Sequence, residues 1–529
     1  MAGVLARGKI TILVGLSLIG LSLALWWFML SSANRSNTPS SSPNRLSASA
    51  SPPATWRQRP CPEGAFDSHP ADLTCGEWHT SDGRFTLPVV ILRYLQNDKQ
   101  ATPLLYLQGG PGAGAGIGDK RSLQRWRDWR DFSGLRRDLI LVDRRGTGGS
   151  QPRQICEAYE RFSREVLGRN LELQQEWREA QQVLDTCLAA APGFNPADYG
   201  TLISAADIQQ LGVALGIARW HVLGVSYGSR LALALASAPK AGSETRPAVA
   251  AMVLDSVYPP GEGGLIDWPD TLSRALDGFY RACVDDTDCV QAWREQGFSA
   301  AIDPSQLQAK LFASLALLRR APMRVDVQVA GLPRRVVVND HRLLAAVFAA
   351  SYHRHRWSDV IRALGAVEQR ERAPLARLMQ LFVSQALSDS ITSFTFMAVD
   401  CRDNRLGREQ EFEAAVARHP LLVPFLNGMW QGQICQRWPQ GAPLELPAPP
   451  ARVALLAGKF DPITPVAWAR ELHRHWPASK LTEFGGIGHH VLGSKSCALA
   501  QLEEYLSGQR QRFEDCAEHW PAALARLSG

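Results

Sequence analysis

Short apolar runs that alternate with helical stretches constrain the fold of this chain more than any other feature of its sequence. Each run is bounded by Gly, Pro or Asp, which is typical of strands buried on both faces of a parallel sheet. The helical stretches between the runs supply the crossovers that parallel strands require. We therefore predict a mostly parallel sheet flanked by helices, with strands at residues 104–107, 139–142, 221–225, 252–254, 453–457 and 481–484.

The helical stretches fall into two groups. One crossover helix is expected to start at Ser204, with Asp207 in its first turn, and to run to about Ile217. Residues 258–446 show few strand signals and contain long amphipathic stretches such as 305–319 and 341–350. We interpret this region as a helical insertion between two core strands, of the kind that often covers an active site.

The N-terminal region is predicted to serve export rather than the fold. Residues 10–30 carry no charge and follow Arg7 and Lys9. As a helix they would span about 31 Å, the thickness of one hydrocarbon core, with the N-terminus inside. We favour an uncleaved membrane anchor, and the alternative is a cleaved signal peptide. Residues 31–54 are rich in Ser, Pro and Asn, which predicts a flexible tether.

The cysteines also indicate export from the cytosol. The chain has 10 of them, and an even count in an exported protein predicts disulfides. We expect each cysteine to pair with the next along the chain, because the loops closed in this way are short. The domain that follows the tether is therefore predicted to be periplasmic or extracellular.

The patterns above divide the chain into five segments. We predict a membrane anchor or signal segment, a tether, a first part of an α/β core, a helical cap and a second part of the core, at residues 1–30, 31–54, 55–257, 258–446 and 447–529 respectively. The net charge of +6 is small for 529 residues and arginines are not clustered, so nucleic acid is excluded as a partner.

The sequence Gly224-Val225-Ser226-Tyr227-Gly228 follows a predicted strand and precedes a helix rich in Ala and Leu. In this context the glycines permit a sharp strand-to-helix turn that lifts the serine hydroxyl above the sheet. The turn also places the hydroxyl near a helix N-terminus. This arrangement predicts the α/β-hydrolase fold, with Ser226 as the nucleophile and a large helical cap inserted between core strands.

An acid and a histidine follow in the order that this fold requires. Asp461 comes just after the strand at 453–457, and His489 follows the last predicted strand on a glycine-rich loop. We predict His489 as the general base and Asp461 as the carboxylate that orients it. The neighbouring His490 is the competing candidate, and we prefer a packing or substrate-side role for it.

The tetrahedral intermediate needs two backbone N–H donors. Tyr227, which follows the nucleophile, is predicted to supply one. The sequence Gly109-Gly110-Pro111-Gly112 should supply the other, because its absent side chains allow close approach of the backbone. Within this loop we select Gly110.

Three sets of residues now resemble one family. The Gly-Gly-Pro-Gly loop, the sequence Asp143-Arg144-Arg145-Gly146-Thr147-Gly148-Gly149-Ser150 and the Ser226 turn resemble the prolyl and tripeptidyl aminopeptidases. The stretch 398–403 and the Asp461 and His489 region look like the tripeptidyl-aminopeptidase-like branch. The resemblance implies a capped α/β hydrolase that removes residues or short peptides from free N-termini. Gln108 and His490 depart from the family pattern, which could alter the substrate pocket.

An exopeptidase also needs a carboxylate for the ammonium group of its substrate, because that charge is costly to bury unpaired. Asp403, or Asp400, in the insertion is the candidate. The alternative is that these acids pair with Arg402 or Arg405. We expect Asp143 and Arg145 to be structural ties beneath the site.

The function predicted from the sequence is an exported serine aminopeptidase that acts on oligopeptides and needs no cofactor and no metal. The pairs His353/His355 and His473/His475 lack the acids or cysteines that a metal site would add. One alternative is a carboxylesterase or amidase that uses the same triad on small molecules. The other is a non-catalytic binding protein on a hydrolase scaffold, which the filled catalytic positions disfavour.

Overall fold

The computed structural model of the protein describes residues 54–516 except 63–69, 97–100, 154, 192, 238–245, 299–300, 330, 389–390, 431–433 and 437. The strands are β1 Thr55–Arg59, β2 Leu73–His79, β3 Thr86–Leu92, β4 Leu104–Leu107, β5 Leu139–Val142, β6 Arg219–Val225, β7 Ala248–Asp255, β8 Met323–Val329, β9 Leu332–Val338, β10 Arg452–Gly458 and β11 Lys480–Phe484.

The core of the protein is a nine-stranded sheet with the order β1-β2-β3-β5-β4-β6-β7-β10-β11. The neighbours in the series β5-β4-β6-β7-β10-β11 pair parallel. The neighbours in the series β1-β2-β3-β5 pair antiparallel, so β5 has one antiparallel and one parallel neighbour. All six predicted strands lie within the parallel part, so this prediction is confirmed. Because parallel strands end at one edge, the loops after β4, β6, β7, β10 and β11 meet there.

Helices flank the sheet and extend beyond it. They are α1 Lys120–Phe132, α2 Glu157–Glu165, α3 Leu173–Ala189, α4 Thr201–Ala214, α5 Tyr227–Ala236, α6 Trp268–Val284, α7 Thr287–Glu295, α8 Pro304–Arg320, α9 Asp340–Ser351, α10 Trp357–Gln369, α11 Ala373–Ala386, α12 Ser393–Asp403, α13 Glu409–Ala417, α14 Val423–Leu426, α15 Val466–His475, α16 Val491–Ser494, α17 Ser496–Leu499 and α18 Leu502–Ser507.

The helix α4 begins three residues earlier than predicted. Its N-cap is Gly200, with φ 136°, and the N–H of Thr201 is satisfied by the carboxylate of Asp403 at 2.9 Å. The prediction of Ser204 as the N-cap was wrong because it used a local rule. The capping carboxylate instead comes from a helix 202 residues further along the chain.

A separate hydrophobic cluster lies outside the sheet, and we call the assembly that forms it the cap: helices α2, α3 and α6 to α14 with the hairpin β8–β9. The hairpin was not expected in a region with few strand signals. It forms because Met323, Val325 and Val327 are buried in strict alternation with polar residues. We propose that the cap comprises 258–446 together with α2 and α3, which the sequence assigned to the core.

One buried side chain makes several hydrogen bonds between the two parts of the cap. The guanidinium of Arg342, at the start of α9, donates to the carbonyl oxygens of Val166, Leu167 and Arg169 at 2.7–2.9 Å. It also donates to the carboxylate of Glu176 on α3 at 2.7 Å. The cation therefore binds carbonyl oxygens of the turn that directly follows α2.

Five disulfides join consecutive cysteines, which confirms the predicted pairing: Cys61–Cys75, Cys156–Cys187, Cys283–Cys289, Cys401–Cys435 and Cys497–Cys516. Such a set is typical of a protein that works outside the cytosol. Among the described residues, no helix has the length and apolar character to cross a membrane. The predicted anchor at 10–30 lies outside the described residues.

Candidate active site

Ser226 lies on a strained turn between β6 and α5. Its φ of 55° and ψ of −123° are rare for a residue with a side chain. A Cβ on Gly228 would lie 1.9 Å from the carbonyl oxygen of Leu107, and one on Gly224 would lie 2.3 Å from the carbonyl oxygen of Gly228. Gly228 is therefore required for the turn to pack against β4, and Gly224 is required for the turn to close on itself.

The structure brings Asp461 and His489 into direct contact. The Nδ1 atom of His489 lies 2.8 Å from Oδ2 of Asp461, and both side chains are buried. Asp461 also accepts hydrogen bonds from the N–H groups of Ile463 and Thr464 and from the Thr464 hydroxyl at 2.7–3.0 Å. A carboxylate held by this many donors can orient the imidazole ring with little freedom to rotate.

The electrostatics of this pair favour an ionised acid. Burial raises the pKa of Asp461, but the contacts with His489 and Thr464 outweigh it, so the pKa lies below its ordinary value. The Nε2 atom of His489, on the opposite side of the ring, is buried and has no hydrogen-bond partner among the described residues. It is therefore available to take a proton from a neighbouring group.

His490 occupies a different environment. Its N–H donates to the hydroxyl of Ser256 at 2.8 Å, and its Nε2 lies 3.9 Å from the carboxylate of Asp255. Burial lowers the pKa of His490, although the charge of Asp255 opposes this. Asp461 thus pairs with His489, and His490 has a packing position next to it.

Gly110 and Tyr227, the predicted oxyanion donors, line the same cavity as Ser226. Gly110 has a φ of 42°, which its lack of a side chain permits. The loop that contains Gly110 is fixed from below by Arg144, which donates to the carbonyl oxygens of Gln108 at 3.0 Å and Ala113 at 2.9 Å. It is fixed from the cap by Thr392, whose N–H donates to the carbonyl of Gly112 at 3.0 Å.

Asp143 and Arg145 tie loops together beneath the site. Asp143 accepts from the N–H groups of Ala115 and Gly149 at 2.7–2.8 Å. Arg145 donates from Nε and Nη2 to the two carboxylate oxygens of Asp207 at 2.6 and 2.9 Å. The sequence expected structural ties at these two positions, and it gave no sign of the larger role of their neighbour Arg144.

Ser226 opens into a cavity of about 160 Å³ that lies between the sheet edge and the cap. Thr464, which contacts both Asp461 and His489, lines it on one side. Apolar and aromatic side chains form most of the remaining wall: Tyr258, Leu265, Trp268, Ile391, Phe396, Met397 and Trp468. Such a wall favours uncharged side chains of a substrate.

The two candidate anchor residues have different positions. Asp400 lines the cavity, and one of its carboxylate oxygens accepts from the amide of Asn404 at 2.6 Å. Asp403, one helical turn later, instead caps α4 through the N–H and the hydroxyl of Thr201. Arg405, one of the predicted partners of these acids, pairs with Glu411.

Burial and the charge of Asp403 raise the pKa of Asp400 to about 6. The cation that limits this increase is Arg230, on α5, which donates to Oδ1 of Asn404 at 2.6 Å and so supports Asp400 indirectly. Arg230 also lies over the ring of Tyr258, 3.7 Å from its centroid. No local pattern in the sequence indicates this role, because the partners are 28 to 174 residues away.

A nine-stranded sheet with a serine on a strained strand-to-helix turn and an acid–histidine pair at the same edge defines an α/β hydrolase. Residues 102–300 match the family described as "alpha/beta hydrolase fold", and residues 424–515 match the family described as "TAP-like protein". The chain therefore has the α/β-hydrolase fold, and its C-terminal part is similar to the TAP-like proteins.

Two curated relatives extend this similarity over most of the chain. The tripeptidyl aminopeptidases of Streptomyces coelicolor and Streptomyces lividans are each 24% identical over 455 residues. The alignments cover 79% of this chain and 76% and 77% of the relatives. The similarity therefore extends well beyond the two segments that match the family models.

Solved structures similar to this chain include the proline iminopeptidase of Mycobacterium smegmatis, with 15% identity, a TM-score of 0.37 and coverage of 82% of this chain and 96% of that chain. A proline iminopeptidase-related protein from Thermus thermophilus has 15% identity and a TM-score of 0.33, over 86% and 98% of the two chains. These superpositions are too loose to bear on function.

Proposed function

We propose that this protein is an exported serine aminopeptidase that releases residues or short peptides from the free N-termini of oligopeptides. The observation that carries the proposal is the partly buried carboxylate of Asp400 in the same apolar cavity as Ser226. An uncharged ester or amide gives no reason to bury a carboxylate beside an apolar wall. A free α-ammonium group does, because the two charges neutralise each other out of water.

The proposed chemistry follows from the site. His489 Nε2 takes the proton of the Ser226 hydroxyl as the oxygen attacks the scissile carbonyl, and Asp461 stabilises the imidazolium that forms. The N–H groups of Gly110 and Tyr227 donate to the oxyanion. His489 then gives its proton to the leaving amine, and water attacks the resulting acyl-enzyme by the same route in reverse.

The relatives support this substrate class. Two proteins that match over more than three quarters of their own length are named tripeptidyl aminopeptidases. We propose that this chain also releases a set number of residues from the N-terminus, because the ammonium group of the substrate binds to Asp400. The distance between that point and the scissile bond would then decide how many residues are released.

The experiment is a peptide library offered in two forms, with free and with N-acetylated termini, to the wild-type protein and to Ser226→Ala. Cleavage of the free peptides alone, lost in Ser226→Ala, is the expected result. Equal cleavage of both forms, or rapid hydrolysis of acyl esters with none of the free peptides, would favour the esterase or amidase alternative. Failure of a fluorophosphonate to label Ser226 would contradict serine catalysis altogether.

Export and anchoring are part of the proposal. The five disulfides support folding outside the cytosol, and the uncharged run at 10–30 with its basic flank supports a membrane anchor on the catalytic domain. Alkaline carbonate extraction of membranes tests this part separately. Release of the full-length protein by carbonate would contradict an anchor.

A further inference from the structure

Asp255, the last residue of strand β7, and Ser256, which follows it, hold the loop that carries His489. Oδ1 and Oδ2 of Asp255 accept hydrogen bonds from the N–H groups of Val491 and Leu492, each at 2.8 Å. The hydroxyl of Ser256 accepts from the N–H of His490 at 2.8 Å. Three consecutive N–H groups that directly follow His489 are thus bound by two adjacent side chains.

Both side chains are held there at a cost in free energy. Asp255 and Ser256 are fully buried. Among the described residues, the ion-pair partner of Asp255 is the ring of His490 at 3.9 Å, and burial lowers the pKa of that ring. Ser256 has a φ of 58°, a backbone conformation that costs a residue with a side chain about 1 kcal/mol or more. Such costs are typical of sites where geometry has a function.

The same two residues also contact the other two segments of the triad. The carbonyl oxygen of Asp255 accepts from the N–H of Ser226 at 2.9 Å. The N–H of Ser256 donates to the carbonyl oxygen of Leu456 at 2.9 Å, in the strand that leads to Asp461. The chain segments of nucleophile, acid and base therefore meet at one dipeptide.

We infer that Asp255 and Ser256 are positioning residues that set the placement of the His489 ring relative to the Ser226 hydroxyl. The inference rests on the proposed function, since it assumes the Ser226–His489–Asp461 triad. The dipeptide touches neither substrate nor reacting atoms in this scheme. It acts through the backbone of the loop that carries His489. That backbone sets the position of the ring, and proton transfer requires the ring to be placed accurately.

The test compares Asp255→Asn and Ser256→Gly with the wild type. An amide at position 255 has one acceptor oxygen, so its NH₂ group must face one of the two N–H groups of the loop. Glycine at 256 relieves the strained φ while it removes the acceptor for His490, so this variant separates positioning from fold stability. Asp119→Asn is the matched control, because one oxygen of Asp119 already caps α1 through two N–H groups.

Labelling by a fluorophosphonate probe and hydrolysis of a free peptide anilide are the measurements. We expect Asp255→Asn and Ser256→Gly to lose about 10- to 100-fold in kcat and in labelling rate, with KM within about twofold. Asp119→Asn should match the wild type in all three. Wild-type labelling rates in both site variants would overturn the inference and leave the triad intact. No labelling of the wild type would instead overturn the proposed function.

Discussion

The guanidinium of Arg144 and the carbonyl oxygen of Ala113 are joined by a buried hydrogen bond of 2.9 Å. The same guanidinium binds the carbonyl oxygen of Gln108 at 3.0 Å, so one side chain spans the loop that contains Gly110. Carbonyl groups that point down toward a cation leave the N–H groups of the loop free to point up. Arg144 thereby shapes the proposed oxyanion hole without contact with the substrate.

We predict that Arg144→Lys lowers kcat about 10- to 100-fold with a smaller change in KM. A lysine ammonium is a compact charge that cannot span several carbonyl oxygens in the way a planar guanidinium does. Loss of one oxyanion donor costs about 10²–10³ in rate, and a displaced donor costs part of that. Steady-state kinetics on a peptide anilide measure it. Arg137→Lys, at another buried arginine that pairs with Glu503, is the control and should keep its kcat.

We predict that Asp461→Asn lowers kcat about 10³- to 10⁴-fold while the fold is kept. An amide leaves the imidazolium without a counter-charge and favours the wrong tautomer of His489. Thr464→Val should cost about tenfold, because it removes one hydroxyl donor from the carboxylate, at 2.7 Å. Circular dichroism and kcat on one substrate check both variants. An Asp461→Asn protein with more than a tenth of the wild-type kcat would rule out Asp461 as the triad acid.

We predict that Asp400→Asn raises KM for free peptides about 10- to 100-fold and leaves neutral ester substrates almost unaffected. In the wild type, the ratio of kcat/KM for a free peptide to that for an ester should fall as the pH falls through about 6, because protonated Asp400 cannot pair with an ammonium group. The ratio removes any pH effect that is common to both substrates. In Asp400→Asn it should be flat with pH.

The same residue gives a prediction for stability. The pKa of Asp400 is about 6 in the folded protein against an ordinary value of 3.8, so folding favours the protonated carboxyl. Its contribution to stability is present at low pH and is lost as the pH rises from 3.8 to about 6. Asp400→Asn should therefore increase the free energy of unfolding at pH 8 by about 1–3 kcal/mol. Urea titration at about pH 5 and pH 8 measures this, and an equal gain at both values would contradict it.

The strands and the loops that carry the site could be predicted because both depend on local signals. Continuous apolar runs identify buried strands, and the elbow around Ser226 has its own glycine pattern. The different positions of Asp400, at the cavity, and Asp403, at the start of α4, could not be predicted, because they depend on how α12 packs against α4. The same holds for Arg144 and Arg230, whose carbonyl and amide partners come from distant parts of the chain. Apolar and polar residues do alternate in β8 of the hairpin, and this pattern could have been recognised.

We predict that removal of the Cys401–Cys435 disulfide affects both stability and substrate binding. Both cysteines line the cavity, and the bond closes a loop with a sequence separation of 34. The double alanine variant should lose about 2–4 kcal/mol of unfolding free energy and show a raised KM. Cys283–Cys289, with a separation of 6, closes a shorter loop away from the cavity. Its double alanine variant should lose less stability by this mechanism and keep the wild-type KM.

The bonds from Arg342 to the backbone of residues 166–169 have a consequence for the order in which the chain can fold. A ribosome or an export channel delivers α2 and α3 well before α9. The carbonyl oxygens after α2 therefore cannot bind the guanidinium of Arg342 until another 173 to 176 residues have followed. The segment 258–446 on its own would keep the bond from Arg342 to the carbonyl oxygen of Val337 but would lack the three carbonyl groups of residues 166–169 and the carboxylate of Glu176. An isolated cap should therefore be produced by co-expression of two fragments, 156–189 and 258–446, and not from the fragment 258–446 alone.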